Sequence, residues 1–117
     1  MPRPEMSITV FHILVALAAQ DRHGYSIMRD VAERTDGHIK LSPGTLYGAI
    51  RRLLEEGLIE ELDERPDPEH DDERRRYYRL TTAGYAAAGR ESERLYRLLG
   101  QARANGLIPK LKPGGAR

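Results

Sequence analysis

Arg51 and Arg52 sit in a stretch, residues 41–57, whose outward side chains come from a narrow set. A guanidinium presents N–H donors in a fixed fork, so it pairs with phosphate oxygens or reads a guanine edge bidentately. Lys40, Ser42, Gly44, Thr45, Tyr47 and Gly48 precede the pair. Lysine adds a point charge and the hydroxyls donate to phosphates, interactions that position a protein without reading sequence. The two glycines let backbone approach another surface closely. Cations, hydroxyls and bare backbone together suit a phosphate-lined groove. For Tyr47 a second role, filling the domain core, is also compatible with its place at the margin of this face.

Other chemistries find little support. His12, His23, His38 and His70 are scattered, and none forms a spaced pair with a carboxylate in a stable element. His12 lies in an apolar stretch and reads as a hydrogen-bonded interface residue. His70 beside Asp71, Asp72 and Glu73 could hold a divalent cation loosely, but the segment reads as a solvated loop. No nucleophile motif and no phosphate-cradling glycine loop occur. Cysteine is absent, which excludes disulfides and thiolate metal sites. No enzyme, cofactor or metal centre is expected.

The groove-facing residues need a helix to hold them, and residues 42–56 supply one. Ser42 is placed to accept from an orphan N–H of the first turn, Pro43 fits the first helical position, and Gly57 fits the left-handed exit. Leu46, Ala49, Ile50, Leu53 and Leu54 share the opposite face. Residues 7–20 are apolar almost all round; their β-branched content permits a strand, but their length argues for a helix that Ser7 caps. Such a helix faces the core on one side and leaves Phe11 for a second subunit on the other. Asp21-Arg22-His23-Gly24 reads as a turn. A second helix follows over 25–35, with Tyr25, Met28, Val31 and Ala32 inward. Helix, connection, helix, connection, capped helix is a helix-turn-helix layout.

Leu58-Ile59-Glu60-Glu61-Leu62 reads as a short strand. Arg74-Arg75-Arg76-Tyr77-Tyr78-Arg79-Leu80 alternates as a second, with Tyr78 and Leu80 on one face, Tyr77 and Arg79 on the other, and Tyr78 turned to the core. Between them runs a polar loop, so the pair makes a wing with Arg74, Arg75 and Arg76 at its base. Thr81 or Thr82 caps a last helix over about 82–104. Its stripe of Tyr85, Ala88, Ser92, Leu95 and Leu99 is widened by Tyr96, Leu98 and Ala102. The stripe either meets a second copy of the chain or folds back on the first helix; the former is favoured, because the rest of the chain leaves it no partner in sequence. Residues 105–117 read as a tail.

A chain of 117 residues with a net charge of +1 fits one small domain that a partner subunit would help to stabilise. The charges are segregated. Residues 1–59 are balanced at seven basic and seven acidic, residues 60–73 hold nine acids against one base, and residues 74–117 hold eleven bases against two acids. Such segregation creates a local field that the net figure hides. No apolar run reaches the roughly 20 residues that span a bilayer, and the start lacks a signal-peptide pattern, so a cytoplasmic protein is expected.

Several pieces resemble one family in the right order: Ile13-Leu14-x-x-Leu17, His23-Gly24-Tyr25-Ser26-Ile27, Leu41-Ser42-Pro43-Gly44-Thr45-Leu46-Tyr47, Leu53-Leu54-Glu55-Glu56-Gly57-Leu58-Ile59, and Arg76-Tyr77-Tyr78-Arg79-Leu80-Thr81-x-x-Gly84. Over about residues 8–90 the chain is similar to the PadR family of winged-helix transcriptional regulators, in its smaller subclass with one C-terminal dimerisation helix. The resemblance implies a homodimer on a palindromic double-stranded DNA operator, usually a repressor, often responsive to a small molecule such as a phenolic acid. Some members hold aromatic ligands between tryptophans at the dimer interface, and this chain has no Trp.

The expected fold is therefore mainly α with a two-stranded β-wing, a winged helix-turn-helix over 1–80, a dimerisation helix over 81–104 and a tail over 105–117. Lys40, Ser42, Gly44, Thr45, Tyr47, Gly48, Arg51, Arg52, Arg74, Arg75 and Arg76 would meet DNA. Phe11, Tyr85, Ala88, Ser92, Leu95 and Leu99 would form the dimer interface. The competing reading is a winged-helix module that binds protein, and salt dependence separates the two, because DNA binding releases counterions.

Overall fold

The computed structural model describes residues 6–63 and 76–109. Arg74, Arg75, His70, the acidic run over 67–73 and the end of the tail lie outside them. Four helices and three short strands follow in the order α1 (Ile8–Ala19), β1 (Arg22–His23), α2 (Gly24–Arg34), α3 (Pro43–Glu55), β2 (Ile59–Glu61), β3 (Tyr77–Leu80) and α4 (Thr82–Ala104).

The helix starts are set by side-chain caps. Ser7, Ser42 and Thr81 each accept a hydrogen bond from the backbone N–H three residues on, at Val10, Thr45 and Gly84. Each removes one of the orphan donors that open a helix. The fourth cap is His23, whose Nδ1 accepts from the Ser26 N–H at 3.2 Å. With that nitrogen an acceptor, the imidazole is in the tautomer protonated at Nε2. At the far ends, Gly57 and Gly106 turn left-handed at φ 75°.

Ile13, Leu14 and Leu17 of α1, Ile27 and Val31 of α2, and Leu46, Ile50 and Leu53 of α3 form one buried cluster. The sheet closes it with Ile59, Tyr78 and Leu80. Leu46, Ala49, Ile50 and Leu53 of the expected inner face are buried, and Leu54 is half-buried. Tyr78 is core, as its alternation requires. Tyr25 is not: it is 54% exposed, because Ile27 and Val31 take the inward face of α2 and turn the second residue of the helix outward. Its ring stacks at 10° on His23, and the Arg29 guanidinium lies 5.7 Å from its centroid.

Arg22 and His23, expected as a turn, form a third strand instead. The sheet is antiparallel in the order β1-β3-β2, with Arg22 opposite Tyr78 and His23 opposite Tyr77. On the other edge Ile59 faces Leu80, Glu60 faces Arg79 and Glu61 faces Tyr78. The two wing strands are thus anchored through β3 to the connection between α1 and α2.

The start of α4 is locked to the end of α3. Thr81 Oγ1 donates to Gly57 O at 2.6 Å, and the Thr81 N–H donates to Leu58 O at 3.1 Å. A Cβ on Gly84 would collide with that same Leu58 carbonyl, so only glycine fits there. The expectation that α4 lacks a partner in its own chain needs correction. Its first half packs on α1 and β3, burying Gly84, Ala87 and Glu91. Phe11 is half-buried in this setting, and Ala88 packs against the chain's own core. Beyond Glu91, no residue of α4 is buried.

Candidate nucleic-acid interface

Helix α3 presents two contrasting faces. Four apolar residues point inward, while Ser42, Gly44, Thr45, Arg51 and Arg52 are exposed and Gly48 is half-buried. Lys40 is exposed just before the helix. Ser42 Oγ also donates to Thr45 Oγ1 at 3.0 Å, so the two hydroxyls sit side by side at the positive end of the helix dipole. Among the described residues neither Arg51 nor Arg52 has an ion-pair partner.

Gly44 and Gly48 are informative because nothing among the described residues requires them. A Cβ at either position would meet no atom within 4 Å. A glycine inside a helix costs about 1 kcal/mol relative to alanine. At Gly48 that cost is not offset by any close packing within the protein. A bare backbone on the outer side of a helix leaves room for an outside body to come close.

Tyr47 divides between its two expected roles. It is 45% exposed, yet its phenol lies close against Gly24, where an added Cβ would have to push the ring aside. The ring therefore braces α3 against the start of α2, which explains the glycine of the His-Gly-Tyr run.

Of the three wing arginines, Arg76 is the one within the described residues. It is exposed and bonds Glu61 Oε2 at 2.9 Å. Arg79 pairs with Glu60 across the hairpin at 2.7 Å, and that hydrogen bond holds its guanidinium even more firmly protonated. The facing of Glu60 and Arg79 follows from hairpin register, a signal that the sequence holds only once the register is known. Exposed ion pairs contribute about 0–1 kcal/mol, so a phosphate can replace the carboxylate at small cost.

A second polar group, which sequence reasoning misses, joins α1, β1 and α2. Arg22 donates to Ala16 O at 2.9 Å, Ser26 Oγ at 2.9 Å and Asp30 Oδ1 at 3.2 Å. Asp30 also accepts from Arg34 at 2.6 Å, and Arg34 reaches His12 O at 3.0 Å and His12 Nδ1 at 3.3 Å. Burial, then the neighbouring Arg34 charge, lowers the His12 pKa. The i,i+4 spacing of Asp30 and Arg34 is a sequence signal for part of it.

On α4 the expected stripe is open where it does not meet α1. Tyr85 and Leu99 are exposed and Leu95 is half-buried, with Tyr96 (76% exposed) and Leu98 (53%) beside them. Ser92 is exposed, its hydroxyl donating to Ala88 O at 2.8 Å. Glu91, 8% exposed, bonds Arg94 at 2.6 Å, which lowers its pKa. Among the described residues no helix is long and apolar enough to cross a membrane, and no group of three or more His, Asp or Glu could hold a metal ion.

Residues 13–90, from the middle of α1 into α4, match the model of the Transcriptional regulator PadR-like family. A PadR family transcription regulator from Clostridium difficile is similar in structure, with a TM-score of 0.68 and 26% identity over 87% of this chain and 100% of that one. A transcriptional regulator from Clostridium thermocellum gives 0.66 and 27%, over 86% and 92%. In sequence, an uncharacterised 37.1 kDa protein from transposon TN4556 of Streptomyces fradiae is 38% identical over 89 residues. Those residues are 76% of this chain, which spans only 23% of that relative's length. The chain belongs to the PadR-like family of transcriptional regulators, and its fold is a winged helix.

Proposed function

We propose that the protein is a homodimeric, sequence-specific repressor that acts in the cytoplasm and places α3 of each protomer in a major groove of a palindromic operator. The observation that carries this reading is the outer side of α3, where Gly44 and Gly48, at which a Cβ would meet nothing among the described residues, stand beside exposed Ser42, Thr45, Arg51 and Arg52. They let the helix axis approach the groove. Arg51 and Arg52 then bond bases or phosphates, and Ser42, Thr45 and Lys40 bond phosphates. Tyr47 holds the helix at its angle through Gly24 and offers the exposed edge of its ring to the backbone. Arg76, with Arg74 and Arg75, takes flanking phosphates from the wing.

For dimerisation through Phe11, Tyr85, Ala88, Ser92, Leu95 and Leu99, the support is the apolar side chains that α4 leaves exposed, Tyr85, Tyr96, Leu98 and Leu99. Residues 1–80 then form the DNA-binding unit, 81–104 the dimerisation helix and 105–117 a tail. Release by a small aromatic effector is what the resemblance implies; the mode that holds the ligand between tryptophans does not apply, because the chain has no Trp. The test is selection of bound sequences from random duplex DNA, repeated with phenolic compounds. A recovered palindrome, bound steeply more weakly as salt rises, is the expected result. Absence of duplex binding at low salt would overturn the reading in favour of a protein-binding winged helix.

A further inference from the structure

We infer that the Arg22–Asp30–Arg34–His12 network is a positioning device that sets the angle between the α1–α4 layer and the α2–α3 reading head, and so the half-site spacing the dimer accepts. The inference rests on the proposed operator-binding dimer.

Apolar packing between α1 and α2 holds the two helices together, but hydrophobic attraction is non-directional. Two packed aliphatic surfaces can pivot with little change in buried area. The lock between Thr81 and the Gly57–Leu58 backbone ties one end of α3 to α4. The pairing of β3 with β1 and β2 adds ties at the sheet, all of them near the start of α2 and the end of α3, so a directional tie reaching the C-terminal end of α2 constrains the angle further.

The network has the required form. Arg22 is 14% exposed at its side chain and Asp30 18%, so solvent competes weakly for their bonds. Arg22 reaches back to the Ala16 carbonyl, one of the orphan acceptors at the C-terminal end of α1, where a cation is also favoured by the dipole. It reaches forward to Ser26 and Asp30 on α2. Asp30 passes the constraint to Arg34, which returns to α1 one turn earlier at His12. Two guanidinium forks thus grip α1 at two points, Ala16 and His12, from a single carboxylate on α2. Two grips on one helix resist rotation as well as separation, and planar forks tolerate little change of direction.

The leverage is large enough to matter. Helix α3 has 13 residues, a length of about 20 Å, so a pivot of about 5° moves its far end by roughly 1.7 Å. Two protomers pivoting oppositely change the distance between reading heads by roughly 3.4 Å, the rise of one base pair.

Asp30→Asn removes the shared charge, and Arg34→Lys keeps the charge but loses the fork. The readouts are two. Because the chain has no cysteine, nitroxide labels attach only at introduced Glu33→Cys on α2 and Gln101→Cys on α4. Their distance distribution is measured in dimers diluted with unlabelled protein. In parallel, the selected operator duplex is resynthesised with one base pair added to or removed from its centre. Wild type should show a narrow distribution and prefer its own spacing by at least about tenfold, whereas both variants should broaden the distribution and discriminate by less than about threefold. Lower melting temperature with unchanged distance width and spacing preference would overturn the proposal and leave the network merely stabilising. Should Asp30→Asn fail to fold, Arg34→Lys decides alone. If wild type binds no duplex, the operator reading fails, and the distance widths still decide whether the network fixes the angle.

Discussion

Replacing Gly48 by alanine should make the protein more stable and a poorer DNA binder. The position is the sixth residue of a 13-residue helix, well inside both ends. An added methyl meets nothing within 4 Å, so there is no steric penalty to subtract. The helix-propensity gain of about 0.8–1 kcal/mol should therefore appear in full. For a domain of this size that raises the melting temperature by roughly 3–4 °C. Against DNA the same methyl projects from the face that approaches the groove. Pushing the helix outward by about a bond length stretches the hydrogen bonds made by Arg51 and Arg52, each worth about 1–3 kcal/mol when bidentate. Without one such bidentate pair, specific binding weakens by roughly 5- to 150-fold. Melting is followed by circular dichroism and binding by fluorescence anisotropy on the selected duplex, with a scrambled duplex as control. A lower melting temperature would mean that the fold itself needs glycine there. Unchanged affinity with raised stability would mean that this face meets no partner. Either outcome refutes the reasoning.

Changing Arg51 and Arg52 together to alanine should reduce operator affinity at least tenfold and flatten its salt dependence by about 0.9 in slope for each phosphate no longer neutralised, with melting unchanged; anisotropy at several salt concentrations checks this. Leu95→Asp should convert the dimer to a folded monomer, read by sedimentation; a persisting dimer would place the interface elsewhere. Gly84→Ala should destabilise by about 1–3 kcal/mol, since the new methyl must displace the Leu58 carbonyl; thermal melting tests it. Burial and the adjacent Arg34 hold the His12 pKa below its ordinary value of about 6.5. Folding therefore favours the neutral ring, and the stability it contributes is full above that pH and lost as pH falls below it. His12→Gln should flatten that acid limb in a series of melts across a pH range of about 5–7.

Much of the fold is written locally. Ser7, Ser42 and Thr81 mark helix starts by chemistry that acts over three residues, and the inner face of α3 follows from its period. Features that depend on distant pairing are not local. Strand β1 has two residues, too few for any alternation, and becomes a strand only because β3 lies beside it. Tyr25 sits at a spacing compatible with the inward face, and the choice between it and Ile27 is made by which of them α1 and α3 can accommodate. The bond between Arg34 and His12 spans 22 positions and has no sequence signature. The outer side of α3 is legible in its residue types. That Gly44 and Gly48 face open space among the described residues, while Gly24 abuts the Tyr47 ring and Gly84 abuts the Leu58 carbonyl, requires atoms on both sides of each glycine.

The lock between Thr81, Gly57 and Leu58 bears on how regulators of this architecture can be recombined. A cut between residues 80 and 81 looks like a seam, because strand gives way to helix. Yet the cap, the carbonyl it shelters and the glycine that admits it lie on both sides of that cut. A chimera grafting a foreign C-terminal helix at this point keeps its geometry only if the donor brings glycine three residues after its capping threonine. Grafts made about two turns further along, past Ala87, leave the joint whole and make the exchangeable part of the molecule begin inside α4 rather than at its start.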